Sequence, residues 1–276
     1  MKNMKTGQPV LGPIEMRFFS WAQSKRRTEL KTGDLVQALK LSPKQEADLL
    51  YNLSRRGLLL KLWRGFYLVP ERLPAGGQWS PSPYLIINSY MTELKATYQI
   101  SGPVVFNSYG YSTQMASEFA IYNNRVSKKV DIRQYKFAFV KVDEKRLGAT
   151  KEFQPYGESK NAVAIFSTQP RMLLDAIADY KRFGTLPEAY GWILGAIKDK
   201  KVSVKEMADV VCKFANTTSK KRIGWILEKA SPKSKEIERI ADVIPKTEFL
   251  VPLLPENFDG PINQKWGVIE NFKVPT

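Results

Sequence analysis

Residues 42–57, SPKQEADLLYNLSRRG, constrain this chain more than any other stretch. Ser42 followed three residues later by Gln45 is a capping box, Pro43 takes the first helical position, and Gly57 supplies a stop. At 100° per residue, Leu49, Leu50 and Leu53 fall on one side of that helix. The other side collects Lys44, Asp48, Tyr51 and Arg55, with Asn52 and Ser54 at its margins and Gln45 near its start. Such a face is either simply solvated or carries groups that meet base edges and phosphates.

What flanks the helix narrows the choice. Upstream, Gly12-Pro13 opens a first helix with Ile14, Phe18, Trp21 and Ala22 at helical spacing and a basic end. Thr32 is expected to cap a short second helix, GDLVQALK, with Leu35, Val36 and Leu39 as its apolar residues. Downstream, SRRGLLLKLWRGFYLVP predicts a hairpin: strand 58–62, a Trp63-Arg64-Gly65 turn, and a return strand 66–69. Helix, short helix, capped helix and a hairpin with a basic tip is the order of a winged helix-turn-helix. In that arrangement the capped helix enters the major groove and the tip reaches phosphate or the minor groove. Arg64 suits a narrow minor groove, and Gly65 supplies the positive φ of the turn. Lys61, Arg55 and Arg56 are candidate phosphate contacts.

Charge supports a polyanionic partner. The net charge is +16, with 14 Lys and Arg against 6 Asp and Glu among residues 1–72, so half of the excess sits in the first quarter. With no histidine and one cysteine, Cys212, the chain cannot use His-based acid–base chemistry, His-containing zinc sites, four-cysteine metal clusters or an internal disulfide. A reducing cytosol fits. Cys212 lies in the apolar run DVVCKF and reads as a buried thiol. No signal-type segment and no run of 18 apolar residues is present, so no membrane span is expected. Glycine-rich nucleotide motifs are absent, no cofactor is expected, and the chain reads as a non-enzyme.

Residues 73–83 read as a linker within the Pro/Gly-rich stretch 70–83, separating a domain at 1–72 from a larger one at 84–276. In the latter, YLIINSYMTEL predicts a helix. GPVVFNSYG, EFAIYNN, KVDIRQY, KFAFVKV and NAVAIFS predict strands. From Pro170 the pattern turns helical through PRMLLDAIADYKRFG, LPEAYGWILGAIKDK, VKEMADVVCKFAN, KKRIGWILEKA and KSKEIERIADVI, with a second capping box at Ser203 and Glu206. The tail from Thr247 shows no period. The fold class is therefore α+β, with strands first and helices after. Arg125, Lys128, Lys129 and Arg133 form a basic run between strands, either a second DNA contact or a charged edge that discourages aggregation. Asp131, Asp143 and Glu144 are candidate metal ligands, though carboxylates in strand-and-turn sequence are usually solvated; a nuclease using acidic residues and Mg²⁺ is a minor alternative. The main alternative is a protein-docking winged helix, which Lys44, Asp48 and Arg55 on one face disfavour.

Taken in order along most of the chain, RGLLLKLWRGFYLVP, GPVVFNSYGYSTQ, QPRMLLDAI, KKRIGWILEKA and KWGVIEN resemble the AbiEi family. These are the antitoxins of bacterial type IV toxin–antitoxin and abortive-infection systems. One departure is Tyr109, where the family often has a histidine. The resemblance implies a winged helix that binds inverted repeats at its own promoter and represses transcription. It also implies a C-terminal antitoxin domain that counters a toxin of nucleotidyltransferase type without a stable complex.

Overall fold

The structure, a computed structural model, describes residues 11–74, 78–113, 118–155, 162–232, 234–245 and 249–274. They divide into two compact units, one made of the described residues within 1–96, 132–134 and 153–164, the other of those within 97–131, 135–152 and 165–276. The division falls after residue 96 and not within 73–83, so the helix that follows the Pro/Gly stretch belongs to the first unit. Residues 75–77 of that stretch lie outside the described residues.

The first unit begins with α1 (Pro13–Ser24), followed by β1 (Glu29–Lys31), α2 (Asp34–Leu39), α3 (Pro43–Arg55), β2 (Leu60–Trp63), β3 (Phe66–Leu68) and α4 (Pro83–Glu93). Phe18, Phe19 and Ala22 of α1 meet Leu35 and Leu39 of α2 and Leu49, Leu50 and Leu53 of α3 in one apolar core. Ser42 caps α3 as the sequence predicts, with its Oγ accepting from Gln45 N and Gln45 Oε1 accepting from Ser42 N at 2.8 Å. The three strands form a sheet in the order β1-β3-β2, with β3 antiparallel to both neighbours. β1 is absent from the sequence reading, because three residues, ELK, are too short to show alternation. The first hairpin strand starts at Leu60 and not Leu58, since Leu58 N and Leu59 N still bond back to Leu53 O.

The cap of α2 is a second correction. Thr32 does not cap it; the N-cap is Gly33, in a left-handed conformation without a side-chain bond. The acceptor comes from α3. Glu46, 1% exposed, takes Gly33 N at 2.7 Å on one oxygen and Leu35 N at 2.8 Å on the other. At the far end of α2, Arg17 Nη2 of α1 donates to Leu39 O at 3.1 Å. This six-residue helix, too short to be stable alone, is therefore held at both ends by its neighbours.

The second unit carries a six-stranded sheet. Its elements are β4 (Tyr98–Ser101), α5 (Pro103–Ser108), β5 (Glu118–Asn123), β6 (Lys128–Ile132), β7 (Tyr135–Lys141), β8 (Thr150–Phe153) and β9 (Ala164–Ser167). The strand order is β6-β7-β5-β4-β9-β8, with β5 parallel to β7, and β4 antiparallel to β5 and parallel to β9. Helices α6 (Gln169–Ala178), α7 (Tyr180–Phe183), α8 (Glu188–Lys198), α9 (Val204–Phe214), α10 (Thr217–Ala230) and α11 (Lys235–Asp242) follow. GPVVFNSYG is a helix here and not a strand. Gly102 leaves β4 at φ +76° and Pro103 starts α5, which overrides the β preference of Val104 and Val105. A Cβ on Gly102 would also stand 2.6 Å from the Phe183 ring. The segment read as one helix from Pro170 breaks at Asp179 into α6 and α7.

The aperiodic tail forms three two-residue strands, β10 (Val251–Pro252), β11 (Ile262–Asn263) and β12 (Val268–Ile269). It packs back on α10 through the buried Trp266, whose ring leaves no room for a Cβ on Gly224 (2.0 Å) and whose Nε1 donates to Glu228 Oε2. The sheet is tied to α6 by a buried polar network. Asp175 accepts from Ser101 Oγ at 2.7 Å and Arg171 Nε at 2.9 Å. Gln99 bridges Ser167 Oγ and Gly148 N. Burial raises the Asp175 carboxyl above its usual range, and Arg171 beside it opposes that rise.

Replacing Glu46 with alanine leaves two amides without an acceptor, that of Leu35 buried and that of Gly33 half-buried. The expected loss is about 1–3 kcal/mol, read as a lower denaturant midpoint of the first unit, with Glu46→Gln falling between. An unchanged midpoint for Glu46→Ala would contradict the capping role.

Candidate functional site

The exposed side of α3 is the first candidate. Burial of Leu49, Leu50 and Leu53 turns Lys44, Gln45, Asp48, Tyr51, Asn52 and Arg55 outward, and all six are exposed. Tyr51 is 64% exposed, and the Arg55 guanidinium lies 6.0 Å from its ring centroid. A large aromatic left in water beside an arginine is a ready contact surface, because both groups are flat and easily desolvated. Gln45 spends its carbonyl on the cap, so only its NH₂ is available outward.

Arg56 stands apart from that face. It is half-buried, and its Nη1 meets Glu15 Oε1 at 2.7 Å and Oε2 at 2.9 Å, while Glu15 also accepts from Gly12 N at 3.0 Å. Arg56 thus joins the end of α3 to the start of α1.

The chain passes from Arg55 through Gly57 (φ +74°) directly into the hairpin. Lys61 is exposed on β2 and Arg64 is exposed at the β2–β3 turn. Gly65 takes φ +82°, and its carbonyl accepts from Thr32 N at 2.9 Å. Trp63 points elsewhere. It stacks on Phe66 with centroids 4.4 Å apart and meets the edge of Tyr90 on α4 at 5.0 Å. Lys31 adds an ion pair to Glu93 at 2.7 Å. Packing of Trp63 on α4 therefore steadies the hairpin while Arg64 stays in solvent. Two residues escape the sequence reading: Lys40, exposed at the end of α2 with φ +56°, and Glu46, which orients α2 against α3.

The residues of the second basic run have separate local partners. Lys129 lies 3.5 Å from Glu118, Lys128 sits over the Phe139 ring at 5.8 Å, and Arg125 is exposed in a turn held by Asn123 Oδ1. Arg133 is counted with the first unit, where its guanidinium lies near Gly57. No cluster of three metal-binding side chains occurs among the described residues, and Asp143 is used to cap the turn at Lys145. Cys212 is half-buried, its thiol pushed up by burial, which suits no nucleophile. Tyr109 donates to Ser167 O at 3.2 Å and lies under Lys151, so the position serves packing and hydrogen bonding. No helix among the described residues is long and apolar enough to cross a membrane.

This fold has a solved counterpart. The chain is similar to the RV2827C protein from Mycobacterium tuberculosis, with a TM-score of 0.59 at 13% identity over 96% of this chain and 93% of that one. At that identity the likeness extends to the fold alone. No protein-family model matches the chain, and no curated protein matches it in sequence.

Proposed function

We propose that the first unit is a winged helix-turn-helix that binds double-stranded DNA, with α3 in the major groove and the Arg64 tip on phosphate or in the minor groove. The observation that supports this is the joint exposure of Lys44, Asp48, Tyr51, Asn52 and Arg55 on α3, with Arg64 at the adjoining hairpin tip. The side-chain chemistry suits a base edge: Arg to guanine, Asn to adenine, Asp to the cytosine amino group. Lys44 and Lys61 serve phosphate. A protein-docking face would be depleted of charge at its centre, and this one is not.

On the resemblance of RGLLLKLWRGFYLVP and the C-terminal motifs to the AbiEi family, we extend this to a non-enzymatic repressor of its own promoter. It is also the antitoxin of a type IV pair, acting against a nucleotidyltransferase-type toxin without a stable complex. It takes an inverted-repeat operator and no cofactor.

Gel-shift titration on DNA immediately upstream of its reading frame tests the DNA reading. Arg55→Ala is expected to cost about 1–3 kcal/mol and to relax base preference at one position. Arg64→Ala is expected to weaken binding to all sequences alike. Both variants binding at the affinity of the parent chain would remove the model. Co-expression with an adjacent nucleotidyltransferase-like reading frame tests the antitoxin role: growth is restored by the full chain, and failure to restore it would refute that role.

A further inference from the structure

A cavity of about 800 Å³ opens within the second unit, between the start of α5, strands β5 and β6, the α6–α7 break and the first turns of α10. Two of its lining residues are almost wholly buried yet hold polar atoms that the protein does not use. Arg222, 3% exposed, gives Nε and Nη2 to Pro252 O at 3.2 and 2.9 Å and lies 5.0 Å from the Tyr180 ring centroid. Its Nη1 finds no acceptor among the described residues and is not sealed from solvent. Ser219, 2% exposed, likewise has an Oγ that is open to solvent and has no hydrogen-bond partner among them, although its backbone N–H is capped by Asn216. Both atoms are open to solvent and free to meet a ligand in the cavity.

The charge around the cavity favours an anion. Of its two carboxylates, Glu118 is paired with Lys129 at 3.5 Å. Asp179 accepts from the Tyr122 hydroxyl and has Arg146 at 3.8 Å. That leaves Lys181 and Arg182, both exposed at the rim, and Arg222 within. The positive end of α10 points to the same side. Pro103, Ala120, Ala178 and Phe183 provide an apolar wall, and the volume falls in the range of small-molecule sites, far more than one oxyanion fills.

We propose that this cavity binds a small organic phosphate, with its phosphate oxygens on Arg222 Nη1 and Ser219 Oγ, its charge met by Lys181 and Arg182, and its organic part on the apolar wall. This site is separate from the DNA face and does not depend on it.

Calorimetric titration of the full chain at physiological salt with inorganic pyrophosphate, adenosine diphosphate and glucose 6-phosphate tests it. Saturable binding is expected. Arg182→Glu, a surface change that spares the core, and Ser219→Ala should each weaken binding by about tenfold. Arg64→Glu, in the first unit, should leave it unchanged. Tighter binding of adenosine diphosphate than of glucose 6-phosphate supports a nucleotide, and equal binding of the two esters supports recognition of the phosphate alone. No saturable heat with any probe at millimolar concentration would overturn the proposal. So would binding that Arg64→Glu abolishes while Arg182→Glu and Ser219→Ala leave it intact.

Discussion

Two backbone amides of α2 rest on one carboxylate of α3, and the geometry of the first unit depends on it. Gly33 N and Leu35 N both donate to Glu46, buried among the leucines that hold the helices together. A helix of six residues cannot hold its own orientation. Here its first turn is fixed by Glu46 and its last by Arg17, so α2 and α3 keep one angle. With that angle set, the apolar stripe of α3 has only one way to face inward, and the polar side has only one way to face out. An apolar residue at position 46, such as leucine, would fill similar space without accepting either amide, and glutamine would keep only one acceptor oxygen for the two.

The same division separates charges that build from charges that remain available. Arg56 is bound to Glu15, Lys31 to Glu93, and Arg17 to the carbonyl of Leu39. Each closes a contact inside the first unit. Lys44, Arg55, Lys61 and Arg64 are exposed, and no ion pair holds them among the described residues. The hairpin repeats the pattern within four residues. Trp63 anchors on Phe66 and Tyr90, Gly65 makes the turn, and Arg64 between them stays in solvent.

Much of this is legible from residue spacing. The capping box, the Gly57 stop, the leucine stripe and the Arg-Gly turn are each readable, because each is a local signal with a local cause. β1 is not, since three residues carry no period and its pairing to β3 is set by tertiary contact. The α5 helix reads as a strand because two adjacent valines outweigh the Gly-Pro start. Glu46 carries a signal that the leucine stripe overshadows. It stands at i, with Leu49, Leu50 and Leu53 at i+3, i+4 and i+7, and a charged residue heading an apolar stripe asks for a partner inside the fold. The role of Arg56 cannot be read locally, because Glu15 is 41 residues away. The cavity on α10 is hidden for the same reason: Ser219 and Arg222 look like one face of a basic helix until the surrounding elements bury them.

The DNA contact we propose is a basic surface made of one helix face and the adjoining hairpin tip. Fluorescence anisotropy of a labelled upstream duplex over a series of salt concentrations tests this most directly. The logarithm of the binding constant is predicted to fall linearly with the logarithm of salt, and Lys61→Ala to reduce the slope by about 1, one phosphate contact. Binding that ignores salt, or a slope that Lys61→Ala leaves unchanged along with Lys44→Ala, would contradict it.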